Sequence, residues 1–422
     1  MKILVITQYF PLEGIPALIG GISFSLKSFF DAFNKKNHIV SIFLFYDNIN
    51  NNKTFPSGIH NVSEYKKHIG KNFFSIIKKI LFFFKEIIIQ DYTLKLKMKL
   101  ILDYHRRFLE LINMINFSLI IKYYEDIHNY DLILAYDSKT PAQIGFLLGK
   151  KKKLITISHG NDILVKNNIA IYISLKSSQK IIVRSKFIRN LVVKLYDIKQ
   201  SRIFICPDGL ILEDFHIYKD KMALREELKL SEDKFYIISV GLLGLVRKSF
   251  DLVLKSIKEM RDTQNIDISK IEYILIGRDS PEIRERLLML AKKYNIDKNF
   301  KLLVNLSNEL RNKYYKASDI FVMPSKDLQK EGSVEGFGKA FIEAGYYGLP
   351  SIGSNTGGIS DAIEDGKSGF LVNNFNELVD KIKILFENKD VREKMGKYAH
   401  ERVINEFSWE KIYYKYLDSF KA

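Results

Sequence analysis

Cysteine occurs once, at Cys206, so no internal disulfide can form and the fold must be held by packing. A single thiol also fits a reducing compartment, and the location expected is the cytoplasm. Proline is limited to eight residues and tryptophan to one, which excludes a proline-rich linker protein. No stretch approaches the roughly 18 to 20 uninterrupted apolar residues of a membrane span. The first apolar run, Ile3 to Ile6, is too short for a signal-peptide core and no small-residue cleavage site follows it. It reads as a first β-strand. Histidines are scattered and no Asp-x-Asp adjoins a strand end, so neither a metal nor a cofactor is expected. Acids are in short supply. Sixty-six Lys and Arg stand against 49 Asp and Glu, a net +17, which points to an anionic partner.

What is present is a long alternation. Short apolar runs recur at 2–7 "KILVIT", 39–45 "IVSIFLF", 131–136 "DLILAY", 154–158 "LITIS", 181–184 "IIVR" and 203–206 "IFIC". A second series follows at 235–240, 271–276, 300–304, 320–323, 350–353 and 369–372, with helical stretches between most of them. Continuous apolar strands alternating with helices form parallel sheets covered on both faces. Two such series imply two doubly wound α/β domains, each resembling a Rossmann fold. The expected divisions are 1–213, 214–400 and a helix over 401–422 that could pack back on the first domain. The break falls near the turn cluster Pro207-Asp208-Gly209.

One segment concentrates chemistry: "SVEGFGKAFIEAGYYGLPSIGSNTGGISDAIEDGKSGFLV", residues 333–372. A strand and a polar loop lead into Gly336-Phe337-Gly338, and a helix is expected to begin near Gly336. Glycines there allow close approach of backbone to a ligand, and the first helical amides carry unpaired donors and partial positive charge. Such a place suits a phosphate or sugar hydroxyls. Glu335 and Glu343, eight residues apart, are then expected to grip two ends of an elongated ligand.

This segment resembles the donor-binding signature of the retaining glycosyltransferases of family 4. The family's Glu, seven residues, Glu, followed by a Gly-Pro strand and a Gly-Gly turn, stands here as Glu335, Glu343, Gly348-Leu349-Pro350 and Gly357-Gly358. The resemblance implies a GT-B fold, two Rossmann-like doubly wound parallel-sheet domains facing across a cleft. The first would bind acceptor and the second the nucleotide sugar. It also implies that Glu343 holds the ribose, while Glu335 and the amides around Phe337, Gly338 and Lys339 hold sugar hydroxyls and the β-phosphate.

Other residues extend the likeness. After the first strand of the second domain the family carries Gly-Arg and a Lys that clamp the diphosphate; here "SVGLLGLVRKSF" supplies Lys248, with Leu242 at the arginine's place and Arg247 nearby. A leaving diphosphate needs a fixed cation when no metal serves it. In the first half, His159 to Asp162 match a His-Gly-x-Asp whose histidine lies beside the donor sugar, and Gly20-Gly21 resembles a glycine pair near the diphosphate. The catalytic assignment is therefore His159, Glu335 and Lys248. Donor binding falls to Gly21, Arg247, Phe337, Gly338, Lys339 and Glu343.

The resemblance implies transfer of a hexose, with retention, from a nucleotide diphosphate sugar to a hydroxyl of a glycan or lipid-linked acceptor in cell-surface polysaccharide or glycolipid synthesis. A sugar-nucleotide epimerase of the same architecture and a non-catalytic nucleotide-sugar-binding subunit stay open. So does the donor: "GGISDAIEDG" resembles enzymes using GDP-mannose, beside the UDP-hexoses. No nucleic-acid partner is expected, because the basic run is interleaved with aliphatic residues and carries no nucleic-acid motif.

That run covers 66–107, with eleven Lys or Arg against three acids, a net +8. Within it Phe73, Ile77, Ile80, Phe84 and Ile87 share one helical face. A wide Phe/Ile face flanked by lysines fits either a buried helix or an interfacial helix on anionic lipid. Peripheral attachment to the inner face of the cell membrane predicts co-sedimentation with anionic vesicles that weakens with salt, each basic residue contributing about 1 kcal/mol. Changing Lys78 and Lys79 to Glu should release the protein. Binding indifferent to lipid charge, or none, would assign the helix to a core.

Overall fold

A computed structural model describes residues 1–7, 21–44, 59–61, 129–148, 153–164, 169–244 and 246–421, with 114, 115, 118, 119 and 121 besides. The basic segment 66–107 lies outside the described residues. The chain divides into two compact units, Met1–Cys206 with Tyr413–Ala422, and Pro207–Ile412.

The first unit contains β1 Lys2–Thr7, β2 Ile39–Leu44, β3 Ile59–Asn61, β4 Leu132–Ala135, β5 Lys153–Ser158, β6 Lys180–Val183 and β7 Ile203–Ile205. They form one parallel sheet in the order β3-β2-β1-β4-β5-β6-β7. The apolar runs become strands because both faces are covered: Ile3 to Ile6 and Leu132 to Ala135 are all buried. β3 is an addition to the apolar runs read from the sequence. Only three residues long, it carries too little pattern to be recognised, and pairing with β2 defines it.

The second unit contains β8 Phe235–Leu242, β9 Ile271–Arg278, β10 Phe300–Val304, β11 Ile320–Met323, β12 Ser351–Ser354 and β13 Gly369–Val372. Their order, β10-β9-β8-β11-β12-β13, is the doubly wound order in which the chain reverses direction across the sheet between β8 and β11. Ligands in such sheets bind beyond the carboxyl ends of the two strands at that reversal. Here those ends are Leu242 and Met323.

At the opposite end of the same two strands, a buried ion pair sets their register. Asp319 accepts from Arg225 Nη2 at 2.8 Å, Lys221 Nζ at 2.5 Å and the Tyr236 amide at 2.7 Å. Arg225 is buried, and its remaining donors reach the carbonyls of Ala317, Glu232 and Lys234. Removing the carboxylate leaves a buried guanidinium without its counter-charge. Asp319→Ala should therefore cost about 3 to 5 kcal/mol in urea unfolding, and Asp319→Asn less, since an acceptor remains. Equal costs for the two would show that the charge contributes nothing there.

Candidate functional site

In the second unit the loops after β8 and β11 converge. A 3-10 turn, Val246–Lys248, follows β8, and the Lys326 amide donates to the Arg247 carbonyl at 2.7 Å, joining the two loops. Lys248 Nζ lies 2.7 Å from Glu335 Oε2, and Arg247 Nε lies 3.6 Å from the same oxygen. Lys248 also reaches Met323 Sδ at 3.2 Å, and Arg247 Nη1 donates to Ser333 Oγ at 3.2 Å. All three ionised side chains are about nine-tenths buried. Burial pushes the Glu335 carboxyl up, but Lys248 and Arg247 together outweigh it and hold the group below its ordinary range. Leu242, at the family's arginine position, is exposed. Arg247 brings a guanidinium to the carboxylate instead.

The backbone under Glu335 is fixed by glycine. Gly357 has φ +60, and a Cβ there would stand 2.4 Å from the Glu335 carbonyl oxygen. That oxygen accepts from the Gly358 amide at 2.8 Å. The Gly-Gly turn is thus required by close approach to the acidic residue.

The helix does not begin near Gly336. It spans Lys339–Tyr346, with Gly338 as a left-handed cap at φ +93, so Glu335 stands ahead of the helix and only Glu343 lies on it. The cause is local: a Cβ at Gly338 would meet the Phe341 ring at 2.6 Å, and that ring belongs to the core. Among the donor-binding candidates, Phe337 is buried with its ring 5.4 Å from that of Phe407. Its side chain therefore serves the core. Lys339 opens the helix, whose first amides have no intrahelical partners.

Glu343 receives a hydrogen bond from Tyr315, whose hydroxyl lies 3.3 Å from Oε2. Burial, joined by Glu343, pushes the Tyr315 phenol well up, so it remains a donor. Tyr315 stacks on Tyr347 with centroids 5.9 Å apart. No motif marks this tyrosine; its position opposite an acid comes from the packing of the helix Asn308–Ala317.

In the first unit His159 follows β5 directly. The Asp162 carboxylate shapes its loop: Oδ1 accepts from Ser158 Oγ, the His159 amide at 2.9 Å and the Gly160 amide at 2.7 Å. Oδ2 accepts from the Ser138 amide at 3.0 Å, tying the loop to the end of β4. Asp162 is thus the organiser of this turn. Arg184, just beyond β6, donates from Nε to His159 Nδ1 at 3.3 Å. Its only sequence signal is a basic residue closing the apolar run "IIVR". Gly21 is the first residue of the helix Gly21–Lys35. Among the described residues no three His, Cys, Asp or Glu cluster in a way that could hold a metal ion, and no described helix is long and apolar enough to cross a membrane.

The two cations on Glu335 predict a reversal of pH dependence. With its pKa below the ordinary value, Glu335 contributes stability that is full above about pH 4.3 and fades as pH falls through the folded value. Changing Arg247 and Lys248 both to Met leaves burial as the dominant influence and raises the pKa. The variant should then lose stability as pH rises through that higher value. The gap between wild type and variant in urea unfolding should widen from about pH 4 to about pH 7, reaching about 3 to 5 kcal/mol. A gap independent of pH would mean that the carboxylate is not the paired group.

Residues 220–402 match the family model described as glycosyl transferases group 1. Trehalose synthase of Thermococcus litoralis is 29% identical over 234 residues, 53% of each chain. The chain spans about half the length of such curated relatives. Sucrose-phosphate synthase of Thermosynechococcus elongatus superposes with a TM-score of 0.73 at 18% identity, covering 100% of this chain and 98% of that one. Anabaena HepE in complex with UDP and glucose gives 0.70 at 16% identity, over 100% and 99%. The chain has the GT-B fold, and its residues 220–402 are similar to the glycosyl transferases group 1 family.

Proposed function

We propose that the chain is a retaining hexosyltransferase, moving a hexose from a nucleotide diphosphate sugar to a hydroxyl of a glycan or lipid-linked acceptor. The observation that carries this reading is the pair of buried cations converging on Glu335 beside a helix start, at the sheet's reversal point. Two positive groups on one carboxylate leave a surplus positive charge in poorly solvated surroundings. That surplus suits a diphosphate, whose charge grows as the glycosyl bond breaks. A carboxylate can accept more hydrogen bonds than two cations supply, so Glu335 retains capacity for hydroxyls of the sugar. Glu343, held by Tyr315, suits the vicinal hydroxyls of a ribose.

In this reading Lys248 and Arg247 stabilise the leaving diphosphate, aided by the amides at Gly338 and Lys339. The acceptor hydroxyl attacks the face that the diphosphate leaves, and its proton passes to a phosphate oxygen of the donor. No carboxylate nucleophile is then needed, and configuration at the sugar carbon is retained. His159 of the first unit serves the donor sugar and its phosphate, and Gly21 its diphosphate. The first domain takes the acceptor and the second the nucleotide sugar. The work is cell-surface polysaccharide or glycolipid synthesis, on the cytoplasmic side of the membrane. The UDP and glucose named with HepE place UDP-glucose beside GDP-mannose as donors to be tried.

The test is a panel of UDP- and GDP-hexoses, assayed for hydrolysis and for transfer to a lipid-linked glycan, with and without EDTA. Activity with one donor should survive EDTA. Glu343→Gln should weaken donor binding by about 10- to 100-fold, the equivalent of roughly 1.5 to 3 kcal/mol for a charge-assisted hydrogen bond. Lys248→Ala should mainly reduce turnover. Loss in EDTA restored by magnesium would show that a metal carries the diphosphate charge. Conversion of donor without any acceptor would favour an epimerase.

A further inference from the structure

Arg184 is a large charged side chain left 2% exposed, immediately after the carboxyl end of β6. Among the described residues its donors reach four groups. Nε reaches His159 Nδ1 at 3.3 Å, and Nη2 reaches the Tyr136 hydroxyl at 2.8 Å. Nη1 reaches the Tyr416 hydroxyl at 2.7 Å and the Cys206 carbonyl at 3.2 Å. The guanidinium carbon also lies 5.5 Å from the centre of the Tyr136 ring, which itself sits 5.1 Å from the His159 ring. Arg184 is thus fixed from β4, from the residue after β7, and from the C-terminal helix Trp409–Lys421.

We propose that Arg184 is a positioning residue that holds His159 as a neutral imidazole with its proton on Nε2. An arginine side chain has donors only and keeps its charge at any physiological pH. A nitrogen that receives its N–H must therefore present a lone pair. With Nδ1 so engaged, the ring proton resides on Nε2. Protonating Nδ1 would set two N–H groups against each other and place two positive charges about 3.3 Å apart. The groups around the ring are consistent with this state. Among the described residues Arg184 and the phenol of Tyr136 face it, and the Asp162 carboxylate is directed at the His159 amide. Tyr416 stays a phenol, because burial outweighs the pull of Arg184 on its proton. It accepts the guanidinium hydrogen bond without neutralising the charge.

The consequence, which rests on the role proposed for His159 in transfer, is that this histidine acts as a fixed hydrogen-bond donor. It does not take a proton during the reaction. The helix Trp409–Lys421 enters the same chain of contacts through Tyr416, so it helps to set the state of a histidine more than 250 positions earlier.

Long-range proton–nitrogen correlation spectra of the full chain with ¹⁵N-labelled histidine test this, the His159 signals being assigned from their loss in His159→Gln. Wild-type protein should show the neutral Nε2–H pattern across about pH 5 to about pH 8, where an ordinary histidine titrates. In Arg184→Met the same signals should titrate near about pH 6.5, and Arg184→Lys should restore part of the wild-type pattern. Tyr416→Phe keeps the guanidinium but loosens it, and should shift the Nδ1 signal without allowing protonation. An imidazolium or Nδ1–H pattern in the wild type would overturn the proposal, even if Arg184→Met failed to fold. So would folded Arg184→Met with unchanged His159 signals. Full turnover of His159→Gln would instead remove His159 from the transfer reaction, and would leave the tautomer assignment intact.

Discussion

A carboxylate that must stay ionised while mostly out of water governs the second unit. Glu335 could not persist there alone, since desolvation favours its neutral form. Lys248 and Arg247 reverse that preference, and they do so from the loop after the neighbouring strand of the sheet. The arrangement is therefore possible only where β8 and β11 are adjacent and parallel, with both carboxyl ends at one edge. Strand order, loop contact and charge pairing are one constraint. A buried triad of this kind contributes little to net stability, but each member is costly to remove singly.

The glycines follow from that constraint. Gly357 admits the Glu335 carbonyl at a distance no side chain would tolerate, and the Gly358 amide then bonds to it. Gly338 lets the chain turn into its helix over the Phe341 ring. Each glycine fixes backbone on one side of the acidic residue, so the carboxylate is aimed by main chain as well as by its cations. The spacing Glu335, Gly338, Glu343, Gly357 is thus a set of steric requirements, which explains why the order of these residues carries more information than any one of them.

Most of the sheet architecture was legible because burial on both faces leaves apolar runs that few other structures produce. Ile320 to Met323 and Leu132 to Ala135 are of this kind, every residue buried. β3 was not legible, being three residues defined by pairing alone. Within the site, the acids, Lys248 and the glycines were visible as a pattern, whereas the exact helix start was not. "GFGKAF" reads as a helix with an early glycine unless one knows that Phe341 turns back under Gly338. Tyr315 and Arg184 escaped for another reason. Both act on residues far away in sequence, Glu343 and His159, and tyrosine in a helix or arginine after a strand has no pattern of its own.

Leu242 and Arg247 show how a positive charge can reach the same carboxylate from a different step of the chain. What a diphosphate requires is a positive group held at a given place, not an arginine at a given step of the chain. The end of β8 points Leu242 outward, half a loop before the 3-10 turn doubles the chain back. That turn brings the next basic residue, Arg247, under the Lys326 amide and against Ser333, alongside Lys248. A cation leaving position 242 and one entering at 247 are equivalent to the carboxylate only because the turn is short and its carbonyl is anchored to the neighbouring loop. Were the loop longer or unanchored, an arginine five residues further on would be a solvated surface charge. The hydrogen bond from Lys326 to the Arg247 carbonyl is therefore as much a part of the site as the guanidinium it positions.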